Sequence, residues 1–166
     1  MSVSRDILRS WRQPRAVVAR LLAQGVREDR AIVFLMLACG LIFLGQWPRM
    51  MRLAQESDEV PLQAMLGATL LGWMFIAPLL LYLLAGLILL GMRAFRVPVA
   101  GYPVRLALFW ALLAASPAWM LHGMVLGALG PGVVASAVGL VALAAFFWIL
   151  GGGLGAATLE ARGRSA

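Results

Sequence analysis

AMLGATLLGWMFIAPLLLYLLAGLILLGM, residues 64–92, is twenty-nine residues long without one charge, and Arg93 and Arg96 follow it at once. An amphipathic helix of a soluble protein would show charge on one face, whereas this run is apolar all round. A helix crossing a hydrocarbon core about 30 Å thick needs about 20 such residues. The run is longer than that, so it is expected to tilt, bend or overhang the core. Pro78 lacks a backbone N–H and is the expected point of a bend.

Three further runs share this character: residues 31–47, 106–126 and 133–154. Hydrophobic residues make up 63% of the 166-residue chain and charged residues 13%. Soluble domains hold roughly 45–50% and about 25%. The chain cannot hide that much apolar surface by folding on itself, so lipid must cover it. The expected fold class is an all-α polytopic membrane protein with four transmembrane helices. Residues 1–30 form an N-terminal amphipathic interfacial segment, residues 31–155 the transmembrane domain, and residues 156–166 a short tail.

The runs are bounded by specific residues. Glu28 and Asp29 precede the first, where carboxylates complement the helix dipole. Trp47 and Pro48 are expected to end it, with the indole at the interfacial aromatic belt and Gln46 at headgroup depth. Residues 48–63 form a connection with the only acidic patch, Glu56, Asp58 and Glu59. Pro98, Gly101 and Pro103 mark a basic turn. Arg105 opens the third span, which holds Pro117 and His122. Gly127, Gly130, Pro131 and Gly132 make a short uncharged turn.

All fourteen basic residues are arginine, and none lies inside a run. Threading four spans puts twelve on one side and only Arg49 and Arg52 on the other. The positive-inside rule then places both termini and residues 93–105 in the cytoplasm. The exclusive use of Arg suggests GC-rich coding, hence a bacterial cytoplasmic (inner) membrane. No cleavable signal peptide is expected, because the first apolar run begins only at Ala31. Asp6, Glu28 and Asp29 argue against a mitochondrial transit peptide. The net charge of +7 is read as insertion topology and contact with anionic lipid headgroups rather than nucleic-acid binding.

Within residues 1–30, Ser4 is expected to cap a short helix carrying Ile7, Leu8 and Trp11. Pro14 suits the first turn of a second helix, where its missing N–H costs nothing. There Val17, Val18, Leu21 and Leu22 share one face. With Trp11, Arg12, Arg15, Arg20 and Arg27 at its margins, the segment is read as lying in the membrane–water interface. Docking to a soluble partner is the competing reading.

Residues able to do chemistry are few. His122 is the one histidine, without a second ligand or a carboxylate in any span. Cys39 is the one cysteine, which precludes an intrachain disulfide. No catalytic motif is present, no metal or cofactor site is expected, and the protein is read as not an enzyme. Residues 151–155, GGGLG, resemble a phosphate loop but follow no strand. Small residues recur four apart at Ala64/Ala68/Gly72, Gly123/Gly127, Ala135/Gly139 and Gly151/Gly155, a spacing that lets helices approach closely in lipid. They are expected to pack the four helices together or to form a homo-oligomer or larger membrane complex. The competing function is a small transporter or channel whose weakly polar path would pass Thr69, Ser116, His122 and Ser136, with Pro78 and Pro117 breaking the helices around it.

Three segments carry a family resemblance: Trp11-Arg12-Gln13-Pro14-Arg15-Ala16-Val17-Val18, the basic turn from Arg93-Ala94-Phe95-Arg96 to Gly101-Tyr102, and LALFWALLAASP at residues 106–117. In this order they resemble the bacterial members of the Yip1 family. The resemblance implies a small helical membrane protein with a cytoplasmic N-terminus. Eukaryotic relatives act in ER–Golgi vesicle traffic with prenylated Rab GTPases. This chain lacks their long N-terminal region and acidic Leu-Tyr-Gly-Pro type motif, and has four expected spans instead of five. No functional residue is therefore carried over. The bacterial branch implies a scaffold-like inner-membrane component.

Overall fold

The computed structural model describes residues 3–56, 60–97 and 99–165. Among them there are helices and no strand: α1 (Val3–Ser10), α2 (Pro14–Leu22), α3 (Glu28–Glu56), α4 (Leu62–Leu71), a π-helical turn (Gly72–Ile76), α5 (Ala77–Ala94), α6 (Gly101–Leu129) and α7 (Val133–Ser165). The α4–π–α5 unit is continuous, so four helices are long and apolar enough to cross a membrane. The architecture is that of a multi-pass membrane protein.

Helix α6 is the axis of the bundle. From Tyr102 to Ser116 every residue except Arg105 is buried. Helix α3 packs along one side of it and α7 along another, while α1, α2 and α5 cover its first half. Trp110 meets Phe34 of α3 edge-on at 4.9 Å, and Phe109 meets Tyr82 of α5 at 5.0 Å. A helix that is apolar all round is expected to be buried all round, in protein or in lipid. Here protein surrounds the first half of α6, and α4–α5 occupies the periphery, where Leu79 is 72% exposed.

Helix α3 does not stop at Trp47–Pro48 as expected; it runs on to Glu56. Pro48 removes one helical hydrogen bond, but its ring is accommodated by Gly127 of α6, where any Cβ would collide with it. One turn on, Arg52 Nη1 donates to the terminal carbonyls of Gly127 and Ala128 at 3.4 and 3.3 Å, and Arg52 Nε donates to Glu56 at 2.8 Å. A cation on the last carbonyls of α6 also complements its dipole. Glu56 is thus helical, while Asp58 and Glu59 of the expected acidic loop lie outside the described residues.

Other boundaries shift for similar reasons. Helix α6 begins at Gly101 rather than 106 and takes in Pro103, whose missing N–H falls in the unbonded first turn. Helix α7 continues past Leu154 through the tail to Ser165, with Gly151–Gly155 inside it. Ser4 lies within α1 rather than capping it. The interruption expected at Pro78 takes the form of the π turn just before it: the Ala77 N–H reaches back five residues to Gly72 O. That wider turn absorbs the hydrogen bond that Pro78 cannot make. Between α6 and α7, Gly130 adopts φ +75°, a conformation that side chains resist.

Candidate lipid-facing site at the docked N-terminal hairpin

Helices α1 and α2 fold into an antiparallel hairpin, clamped by an ion pair between Asp6 and Arg20. Neither helix, at eight and nine residues, would persist alone in water. Docking supplies the difference. Val17, Val18, Leu21 and Leu22, the face expected to enter lipid, are buried, and α2 packs on α7 and α6. This corrects the interfacial reading of that face. Neither lipid nor a soluble partner covers it; the chain's own bundle does. Nothing in the α7 sequence announces this docking, because the contact falls on Gly152 and Gly153, which have no side chain to signal it. Pro14 sits on the first, and Val18 lies near the second.

Polar atoms fix the hairpin's register on α6. Ser10 Oγ donates to Asp6 O at 2.8 Å and accepts the Trp110 Nε1 proton at 2.9 Å, with both side chains buried. Trp11 Nε1 donates to Ala114 O at 3.0 Å. This contact lies one turn before Pro117, which bears no N–H for Leu113 O; Ser116 Oγ bonds that carbonyl instead at 2.8 Å. The proline turn of α6 is therefore where the hairpin tip attaches. At the other end Arg30 bonds Gln24, Leu21 O at 2.7 Å and Tyr102 Oη at 3.2 Å. Arg105 pairs with Glu28 beside it.

The expected lipid-facing residues divide into two groups. Arg20 is committed to Asp6, and Arg27 lies 3.6 Å from Asp29 in an exposed pair. Arg12 and Arg15 are exposed, and among the described residues no carboxylate pairs with either. Trp11 belongs to the turn between the helices and is 38% exposed, while Leu8, expected on its face, is 74% exposed. Two apolar cavities flank this tip. One, about 950 Å³, runs between α2 and α7 from Arg12 and Arg15 past Ala19, Trp148 and Gly152 to Glu160. The other, about 410 Å³, lies over Trp11 against Pro117, Leu121, Val138 and Val141.

The small-residue pairs also separate. A Cβ on Gly123 would overlap Gly45 O of α3, and one on Gly127 would overlap Pro48. The backbones there approach closely enough for Cα–H···O contact. Ala135 is buried, and Gly139 faces the His122 ring, which a Cβ would meet at 2.9 Å. Ala64 and Ala68 are exposed, and nothing approaches within 4 Å of a Cβ on Gly72. Gly151 and Gly155 are likewise open, and contact falls on Gly152 and Gly153 instead. Gly45 was missed because its four-residue partner is a leucine, Leu41, and a solitary glycine carries no periodic signal.

The residues of the polar-path reading are dispersed. Thr69 Oγ1 bonds its own helix at Met65 O, 2.8 Å, and Ser116 is buried with its intrahelical bond. Ser136 is exposed, and His122 packs edge-on to Trp119 at 6.0 Å. None of the cavities described is lined by any of the four. Among the described residues no group of three His, Cys, Asp or Glu converges as for a metal ion. Comparison with family models, curated proteins and solved structures finds no match.

Proposed function

We propose that this is a non-enzymatic component of a bacterial inner membrane, with both termini in the cytoplasm, that acts as a scaffold or membrane-organising subunit. Its working surfaces are helix-packing faces and lipid contacts, as the resemblance to bacterial Yip1 proteins implies. The observation that carries the reading is the division of labour among polar groups. Thr69 and Ser116 are consumed inside their own helices, while Arg12 and Arg15 stand exposed at the hairpin tip. Polar chemistry is therefore offered at the molecule's flank rather than along a path through it. A transporter would need Thr69, Ser116, His122 and Ser136 around one cavity, and they do not share one of those described.

Crosslinking in native membranes followed by mass spectrometry, paired with flux measurements on reconstituted vesicles, tests the proposal. It expects crosslinks to a second copy or to a stable membrane partner, and no substrate-dependent flux. A solitary monomer that conducts or exchanges a solute would overturn it.

A further inference from the structure

We propose that the hairpin tip is a binding site for an anionic phospholipid of the cytoplasmic leaflet, its phosphate on Arg12 and Arg15 and an acyl chain in the recess over Trp11. The inference deepens the proposed function and rests on its lipid-contact reading. Three observations converge. First, Trp11 is tied to Ala114, close to the middle of α6. The tip therefore reaches past the cytoplasmic ends of the helices, marked by Arg105 roughly 13 Å away along α6. Second, Arg12 and Arg15 are exposed there, and among the described residues neither pairs with a carboxylate, whereas Arg20 of the same hairpin is held by Asp6. A guanidinium beside lipid chains is costly, a cost relieved by drawing in an anion and thinning the leaflet. In a bilayer that anion is a headgroup phosphate, which guanidinium recognises in a planar, two-pronged geometry.

Third, the space over Trp11, the residue next to Arg12 in the chain, has the right polarity. The recess bounded by Trp11, Pro117, Leu121, Val138 and Val141 is apolar and extends along α6 and α7 away from their cytoplasmic ends. A lipid whose phosphate is held at the tip directs its chains that way. The recess presents no hydrogen-bonding side chain except the Trp11 indole, which is already engaged. An acyl chain satisfies such a wall and a polar solute does not.

The test uses the full chain in phosphatidylcholine vesicles containing spin-labelled phosphatidylglycerol or spin-labelled phosphatidylcholine, with motionally restricted lipid read by electron paramagnetic resonance. The wild type is expected to prefer phosphatidylglycerol. R12Q/R15Q should lose that preference, by roughly fivefold per arginine, while R93Q/R96Q keeps it. V138W should reduce restricted phosphatidylglycerol by occupying the recess. Retention of the preference in R12Q/R15Q, or its loss in R93Q/R96Q, overturns this site while leaving a lipid-organising role intact. Absence of any preference in the wild type overturns both. Should R12Q/R15Q fail to reconstitute, wild-type protein photo-crosslinked to phosphatidylglycerol with a tail diazirine decides. Adducts at Leu121, Val138 or Val141 support the site, and adducts confined to α4–α5 refute it.

Discussion

Glycines at 123 and 127 let the α6 backbone come close to that of α3 at Gly45 and Pro48, where any Cβ would collide. In lipid no hydrophobic force draws two apolar helices together, so this fit and the dispersion it permits supply the adhesion. Gly123→Leu should overpack the seam and destabilise the bundle by about 1–3 kcal/mol, seen as a lower aggregation temperature in detergent. Gly72→Ala, with open space around it, should be neutral in the same assay. The spacing in the sequence is identical at the two sites. Spacing says that a face permits close approach, but a partner must exist, and α4–α5 lies at the periphery. Trp11→Phe keeps an aromatic ring, though a smaller one, and removes the bond to Ala114 O. The loss of about 0.5–1.5 kcal/mol should loosen the tip and speed tryptic cleavage at Arg12 and Arg15.

At the scale of elements, the apolar periodicity of Val17, Val18, Leu21 and Leu22 was legible, and so was the start of α2 at Pro14. What the face packs against was not, because an apolar stripe is equally suited to lipid and to a groove in apolar helices. The deciding residues, Gly152 and Gly153, lie some 135 positions away in the chain. The end of α3 was misread for a related reason. Pro48 is a helix breaker by local rule, yet Gly127 and the reach of Arg52 to the end of α6 keep the helix intact. Val18→Asp should undock the hairpin by burying an unpaired carboxylate. Limited trypsinolysis from the cytoplasmic side should then remove residues 1–27 at least tenfold faster than in the wild type, while the four long helices remain protected. Asp6→Asn, which weakens only a partly exposed pair, should have a much smaller effect.

For the whole molecule, the class of fold followed from composition and from four uncharged runs, because no other environment absorbs so much apolar surface. Arginine placement predicts an orientation, with both termini in the cytoplasm. Single cysteines introduced at Arg27 or Arg96 should react with a membrane-impermeant maleimide only from the cytoplasmic side, and one at Gly132 only from the opposite side. Cys39, buried in α3, should stay unlabelled from both.

The central claim is that the N-terminal hairpin belongs to the transmembrane bundle rather than lying free on the bilayer surface. Its most direct test is disulfide formation in native membranes between cysteines at Val18 and Gly153, in a Cys39→Ala background. A Cβ on Gly153 would lie 3.4 Å from Val18 Cγ2, so the two positions face each other across the α2–α7 contact and a bridge is within reach. The account expects rapid, near-complete crosslinking within one chain, and little between Val18→Cys and Gly151→Cys, which faces open space. No Val18–Gly153 crosslink, or equal reaction at both positions, would contradict it.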